Sequence, residues 1–122
     1  MKISSFSPMI ISPRADEIIA LFEDLGFQRA HTKEGIENDI TAAVLKNESG
    51  FMVTVVHAAD LEEDMSTIRM NVDNFDEAYE MLLAHGFTNP RGDRVTETPS
   101  SKAAMVYSPS GFTISVAEHI KK

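Results

Sequence analysis

The segment DEIIALFEDLGFQ (Asp16–Gln28) recurs in altered form as DEAYEMLLAHGFT (Asp76–Thr88), and this repeat is the strongest indication of how the chain folds. Asp, Glu, Gly and Phe occupy the same four places in both segments, at an offset of 60 residues. A second pair, AAVLKNESGFMVTVV (Ala42–Val56) and AAMVYSPSGFTISVA (Ala103–Ala117), shares six residues at an offset of 61. Two separate blocks at nearly the same offset predict an internal duplication, the signature of a fold built from repeated units.

Each copy contains one predicted helix. The apolar positions follow an i, i+3, i+4, i+7 spacing in both copies, at Ile18, Leu21, Phe22 and Leu25 in the first and at Phe75, Ala78, Tyr79 and Leu82 in the second. Ser12 and Asn74 are the predicted N-caps, because their side chains can accept hydrogen bonds from the first turn. Gly26 and Gly86 stand where a glycine commonly ends a helix.

A strand candidate precedes each helix, and three more follow it. In the first copy they are roughly Ile3–Ile11, Phe27–Lys33, Ile40–Lys46 and Phe51–His57, and in the second Thr67–Val72, Phe87 onward, Ala103–Ser108 and Phe112–Glu118. Turn-forming residues separate several of them, at Glu34-Gly35, at 47–50 and at 108–111. Each copy is therefore predicted to be a βαβββ module.

The predicted fold class is α+β. Two tandem βαβββ modules form a curved, mostly antiparallel eight-stranded sheet, with the helices on its convex face. The whole chain, residues 1–122, is one domain, because a single module buries little surface alone. Module one covers about residues 1–58, an acidic linker about 59–65, and module two about 66–122. The sequence leaves open whether the modules pair within one chain or exchange between two chains.

The composition is that of an ordinary globular protein, with 43% hydrophobic and 25% charged residues, and it excludes an extended disordered chain. The chain contains no cysteine, which excludes disulfides, thiolate nucleophiles and zinc-thiolate sites. The N-terminus lacks the pattern of a signal peptide, and no apolar stretch is long enough to span a bilayer. We therefore predict a cytoplasmic protein.

The formal net charge is −8. Binding to nucleic acids needs a basic surface, so neither nucleic acid nor an anionic membrane is a predicted partner. The predicted partners are a small-molecule ligand and a second copy of the chain in a homodimer, since an open sheet leaves edge strands to cover.

Alternation along the strands predicts which side chains face the helices. The bulky apolar set, which includes Phe51 and Phe112, is assigned to the helix side. The opposite face is the predicted ligand-binding surface, because apolar concave surfaces with a few polar groups commonly hold ligands. The candidate ligand-binding residues are Met9, Met52, Thr54, Arg69, Asn71, Tyr107, Thr113 and Ser115. Met9 is assigned by analogy with Arg69, because Pro8 interrupts the alternation of the first strand.

Arg69 has two interpretations. A charge in the middle of a strand is costly unless it is paired. It either forms an internal salt bridge, to Glu97 or another acidic residue, or recognises an anionic or carbonyl group of a ligand, which suits the guanidinium fork. We favour the salt bridge or a position at the rim, because buried charges are normally paired.

The chain resembles the vicinal oxygen chelate superfamily, which includes glyoxalase I, extradiol dioxygenases and bleomycin resistance proteins. The resemblance rests on Leu25-Gly26-Phe27, on Val72-Asp73-Asn74, and on Ser108-Pro109-Ser110-Gly111, which is similar to the family's Asp-Pro-Asp-Gly turn. It covers nearly the whole chain.

The resemblance also implies where a metal would bind. Enzymes of the superfamily usually hold a divalent metal through His, Gln or Glu on the first and last strand of each module. Here the corresponding positions are Thr54, Ser115, Thr67 or Ser66, and Phe6 or Ser7. None is a usual ligand for a divalent metal, which prefers imidazole or carboxylate. We therefore predict no metal and no other cofactor.

The predicted function is a metal-free small-molecule binding protein, similar to the resistance proteins that sequester drugs. The alternative is a lyase or dioxygenase-like enzyme with a non-standard metal site. A third possibility is a structural or regulatory module whose ligand face is filled by its own side chains. The sequence names no ligand and no catalytic residue.

Overall fold

The computed structural model describes residues 1–33, 41–92 and 95–119. The elements are β1 (Ile3–Ser12), α1 (Ala15–Asp24), β2 (Gln28–Lys33), β3 (Thr41–Lys46), β4 (Met52–His57), β5 (Met65–Val72), α2 (Phe75–Ala84), β6 (Thr96–Thr98), β7 (Ser101–Tyr107) and β8 (Thr113–His119). The order is strand, helix, three strands, repeated once, as predicted, but the strand predicted from Phe87 onward begins only at Thr96, and Thr88 forms an isolated bridge with Tyr107. The predicted Glu34-Gly35 turn and the predicted strand start at Ile40 lie outside the described residues.

The strands form an eight-stranded sheet in the order β2-β3-β4-β1-β5-β8-β7-β6. The pairs β2–β3, β3–β4, β6–β7 and β7–β8 are antiparallel, and the pairs β1–β4 and β5–β8 are parallel. The α+β class and the mostly antiparallel sheet are therefore confirmed.

Within the described residues, neither helix has the length and apolar character needed to cross a membrane.

Contacts divide the chain into two compact units. The first unit is Ser7–Ser66, and the second unit is Met1–Phe6 together with Thr67–Lys122. Strand β1 contributes its first residues to the second unit and its remaining residues to the first. The predicted module borders at 58 and 66 stay a prediction.

In the first unit, α1 packs on one face of its strands. Ala15 and Ile19 of the helix are buried in one cluster with Ala43, Leu45, Val53 and Val55. Phe22 packs edge-to-face on Phe27, with 5.4 Å between ring centroids. Buried apolar area of this kind supplies most of the stability of a small sheet with one helix.

In the second unit, α2 packs in the same way but with a larger anchor. Phe75 is only 1% exposed and is buried with Met70, Val72, Ala78, Ala104, Val106, Ile114 and Val116. Tyr79 stacks on the Phe75 ring at 5.4 Å. An aromatic side chain at the first helical position thus forms the centre of this core.

The two helix N-termini differ from each other. Asn74 caps α2, because its side-chain oxygen accepts a hydrogen bond from the Glu77 backbone N–H at 3.1 Å. The prediction that Ser12 caps α1 is wrong. The N-cap of α1 is Arg14, which makes no capping bond with its side chain. The Ser12 hydroxyl instead accepts from the Arg14 backbone N–H at 2.9 Å and donates to Asp64 at 2.5 Å.

Phe51 and Phe112, which alternation assigns to the helix side, belong to neither buried core, since they are 68% and 50% exposed. Both residues precede the regular part of their strands. The Phe51 backbone N–H donates to the Asn47 side chain at 2.9 Å, so the turn determines the position of Phe51. Phe112 packs on Phe87 at 6.0 Å between centroids.

Candidate functional site

Strand register identifies the sheet face that points away from α1 in the first unit. Val53 and Val55 belong to the core under α1. Successive side chains of a strand point to opposite faces, so the residues of β4 that alternate with these valines point away from α1. Met9 pairs with Thr54, and Thr54 pairs with Val44. Met52 has the same parity as Thr54. The three candidate residues of this unit, Met9, Met52 and Thr54, therefore share the face without the helix, which we call the helix-free face.

The same argument holds in the second unit. Ile114 and Val116 pack toward α2, so Ser115 points away from it. Register then places the candidate residues beside one another, with Arg69 opposite Ser115 and Tyr107 opposite Thr113. Asn71 has the parity of Arg69. All five candidate residues of this unit therefore lie on its helix-free face.

Many of these side chains are buried although no helix of their unit covers them. Thr113 and Ser115 are 7% and 5% exposed, and in the first unit Met9 and Thr54 are 4% and 8% exposed. Buried hydroxyl groups are costly unless they form hydrogen bonds. The bonding partners of these groups are therefore the informative part of the site.

Arg69 is the centre of a hydrogen-bonded network in the second unit. Its Nε donates to the Asn71 side-chain oxygen at 3.2 Å, and one terminal nitrogen donates to the Ser115 hydroxyl at 3.1 Å. The Asn71 amide nitrogen in turn donates to the Ser5 hydroxyl at 2.7 Å. The network fixes the guanidinium on the helix-free face, between β5 and β8.

The partners of Arg69 are neutral. No carboxylate within residues 1–33, 41–92 and 95–119 forms an ion pair with Arg69, and Glu97 is not among its partners. Burial lowers the pKa of the Arg69 guanidinium from its ordinary value, since no neighbouring charge compensates for the lost water. The side chain nevertheless stays protonated at neutral pH. The salt-bridge interpretation of Arg69 therefore finds no partner in the described part of the chain.

Two buried hydroxyls near the candidate residues have no hydrogen-bond partner among the residues that the structure describes. They are the Thr67 Oγ1 atom in the second unit and the Ser7 Oγ atom in the first. Thr67 is 7% exposed and stands two positions before Arg69 on β5, so it has the same parity. Ser7 is 4% exposed and stands two positions before Met9 on β1. An unpaired buried hydroxyl costs about 1–3 kcal/mol, so each position calls for an explanation.

The residues at the superfamily's metal positions do not fit a divalent metal. Thr54, Thr67 and Ser115 offer neutral hydroxyls, and neither Phe6 nor Ser7 offers an imidazole or a carboxylate. The Ser115 hydroxyl already accepts a hydrogen bond from the Arg69 cation, which would repel a metal ion. Among the residues that the structure describes, no three His, Asp or Glu side chains group closely enough to hold a metal.

Two cavities lie elsewhere in the first unit. A shallow one of about 820 Å³ lies beside Gly26, Arg29 and Asn47, and its lining is mostly polar loop surface. A smaller one of about 260 Å³ lies between α1 and the sheet, beside Ala15, Val55 and His57. No predicted site residue lines either cavity. We place the candidate site at the Arg69 network instead, because converging buried polar groups distinguish binding sites from surface grooves.

Sequence reasoning missed three parts of the site. Ser5 completes the Arg69 network, and Met105 accepts a hydrogen bond from the Tyr107 hydroxyl at 3.7 Å beside it. The unpartnered Thr67 hydroxyl was considered only as a metal position. The alternation of Ser5, Ser7 and Met9 along β1 is the signal that could have identified Ser5.

The structure was compared with known proteins. No protein-family model matches the sequence, and no curated protein matches it significantly. The methylmalonyl-CoA epimerase of Mycobacterium tuberculosis superposes with a TM-score of 0.71 at 14% identity, over 95% of this chain and 88% of that one. A glyoxalase/bleomycin resistance protein/dioxygenase superfamily member from Vibrio splendidus 12B01 superposes with a TM-score of 0.63 at 14% identity, over 96% of this chain and 99% of that one.

A third similar structure is a Streptomyces coelicolor methylmalonyl-CoA epimerase in complex with 2-nitronate-propionyl-CoA. Its TM-score is 0.69 at 12% identity, over 96% of this chain and 98% of that one. Similarity at such low identity establishes the fold alone. Together with the duplicated βαβββ order, it shows that the chain has the vicinal oxygen chelate fold of the glyoxalase and bleomycin resistance proteins.

Proposed function

We propose that the protein binds a small molecule on the helix-free face of its second unit, without a metal. The observation that carries this proposal is the Arg69 network. It holds a cation, an amide and hydroxyls together on a face that no helix of that unit covers. A stable domain does not need such a network, because apolar residues of similar volume commonly stabilise a protein as well as buried charges do.

The chemistry of this face supports ligand binding. Asn71, Thr113 and Ser115 offer hydrogen-bonding groups, and Tyr107 adds an aromatic ring beside them. Ligand sites typically combine apolar walls with a small number of well-placed polar groups. In the first unit, Met9, Met52 and Thr54 stay predicted ligand contacts, and flexible methionines suit irregular ligands.

The similar structures agree with this proposal. One is described as a glyoxalase/bleomycin resistance/dioxygenase superfamily member, and an epimerase of the same fold has been crystallised with a bound acyl-CoA analogue. Proteins of this fold therefore accommodate small organic molecules. The metal-dependent chemistry of the superfamily is not part of our proposal, because the donor set does not fit a metal.

Chemical-shift mapping of ¹⁵N-labelled protein tests the proposal directly. A fragment library of uncharged and anionic compounds would be added in pools. We expect the amide signals of β5 and β8, including those of Arg69 and Ser115, to change their chemical shifts. The chemical shifts of the exposed face of α2 should remain unchanged. Shifts confined to the helices, or the absence of any shift across the library, would contradict the proposal.

A second copy of the chain is the protein partner that we propose. The edge strands of the sheet are β2 and β6, and unpaired strand edges are commonly covered by other chains. Light scattering at micromolar concentration should give the mass of a dimer, about twice 13.5 kDa. A monomer mass across that concentration range would contradict this proposal. The cytoplasmic location stays a prediction.

A further inference from the structure

We infer that the ligand of the second unit's helix-free face carries a carboxylate group, which Arg69 binds. This inference rests on the proposed function and specifies the chemical class of the ligand. It follows from the unused N–H donors of Arg69 and from the lack of an acidic partner for Arg69 among the described residues.

Arg69 has donors to spare. A guanidinium has five N–H donors, and Arg69 uses two of them, one to Asn71 and one to Ser115. Five minus two leaves three N–H groups without a partner in the part of the chain that the structure describes. These three are both donors of one terminal nitrogen and one donor of the other, and a carboxylate can accept side by side from one donor on each terminal nitrogen.

The charge of Arg69 also lacks compensation. Its two bonding partners are an amide and a hydroxyl, and the described residues supply it with no carboxylate. A partly buried cation with neutral neighbours gains most from an anion, because the attraction is strong where water is scarce. An anionic group of the ligand would supply this compensation.

The residues next to Arg69 indicate an apolar body for this ligand. Ser115, which bonds to Arg69, pairs across the ladder with Met105, and Tyr107 donates to the Met105 sulfur. A thioether and an aromatic ring therefore lie beside the polar network. They suit an aromatic or aliphatic group attached to the carboxylate.

Matched acid and amide probes test this inference in the unmodified protein. The pairs are benzoate with benzamide, phenylacetate with phenylacetamide, and hexanoate with hexanamide, titrated by calorimetry or NMR. Each pair keeps the apolar body and changes only the charge. We expect at least one acid to bind about tenfold to hundredfold more tightly than its amide, because charge-assisted hydrogen bonds are roughly twice as strong as neutral ones.

Two substitutions then test the role of Arg69. Arg69→Gln should abolish the preference for the acid, whereas Arg14→Gln should keep it. Arg14 is the matched control, because its side chain is 75% exposed and pairs only loosely with Glu17, at 3.8 Å. Each substitution removes one positive charge and changes the formal net charge from −8 to −9, so a general electrostatic effect would appear in both.

The outcomes separate this inference from the proposed function. Acids and amides that bind equally well, on the helix-free face, would overturn the carboxylate inference and leave the proposed function standing. A preference for acids that survives Arg69→Gln would overturn the role of Arg69. No binding of any acid would overturn the inference as well, and mapping with the uncharged fragments would then decide the proposed function.

Discussion

The two units have the same element order but differ in the residue that begins the helix. Phe75 opens α2 and is 1% exposed, in the centre of its core. At the equivalent position, 60 residues earlier, Ala15 opens α1 and lines a cavity of about 260 Å³. The first unit thus holds open space where the second holds an aromatic ring. Duplication preserved the fold while the packing of the two copies diverged.

The helix N-termini differ in the same direction. Two free backbone N–H groups at the N-terminus of α2 find acceptors. The Glu77 N–H donates to the Asn74 side chain, and the Phe75 N–H donates to the Glu118 carboxylate at 2.6 Å. The residue equivalent to Glu118 in the first unit is His57, and α1 receives no cap from the Arg14 side chain. Its buried aromatic ring and its helix caps should therefore make the second unit contribute more to the stability of the protein than the first. Three substitutions can test this difference in stability.

Phe75→Ala should have the largest effect. Truncating a fully buried aromatic side chain removes apolar contacts and leaves a cavity, which typically costs about 3–5 kcal/mol. Urea denaturation would measure the free energy of unfolding. Phe51→Ala is the matched control and should change it by less than about 0.5 kcal/mol, because Phe51 is 68% exposed. Similar losses in both variants would refute the central role of Phe75.

Asn74→Ala should have an intermediate effect. The substitution removes the side-chain acceptor for the Glu77 backbone N–H, and losing such a cap costs about 1 kcal/mol. The equivalent substitution in the first unit, Arg14→Ala, should fall within about 0.5 kcal/mol of the unmodified protein. Thermal and urea unfolding of both variants would compare the caps. Equal losses would mean that the two helices depend on capping to the same extent.

Ala15→Leu should have the smallest effect, and in the opposite direction. The larger side chain would fill part of the cavity under α1 and should raise the free energy of unfolding by about 0.5 kcal/mol, the lower end of the gain that cavity filling commonly gives. Ala20→Leu, at an exposed position of the same helix, is the control and should leave stability nearly unchanged. A loss of stability in Ala15→Leu alone would show that the cavity does not accept a larger group.

The sequence predicted the element order, the sheet class and the faces of the candidate site. Periodicity and duplication suffice for these, because alternation fixes the side of the sheet once one apolar residue is assigned. Met9 and Arg69 therefore fell on the helix-free faces although β1 lacks clean alternation. Phe51 and Phe112 are exposed although alternation assigns them to the bulky apolar set. Each lies at the end of a turn where its backbone N–H bonds to a side chain, Asn47 or Ser108.

Other features depend on distances that a pattern does not contain. The Ser12 hydroxyl accepts a hydrogen bond from Arg14, which lies one residue before α1. Its second partner, Asp64, is 52 residues away in the sequence. The Arg69 network joins Ser5, Asn71 and Ser115, which only the folded sheet brings together. The contrast between Ala15 and Phe75 lies just outside the aligned repeat, which begins at Asp16. Neither periodicity nor spacing reveals such contacts.

The division of β1 between the two units has a consequence for the order of folding during synthesis. Lys2 and Ser4 bond to Asp73 and Asn71, so the beginning of β1 finds these partners only after residues of the second half have been made. Residues 7–66, which form the compact first unit, leave the ribosome before the second half is complete. The N-terminal end of β1 then remains an unpaired strand edge until the second unit has been synthesised. A chaperone that masks this nascent edge, or rapid translation of the second half, would protect the growing chain from aggregation.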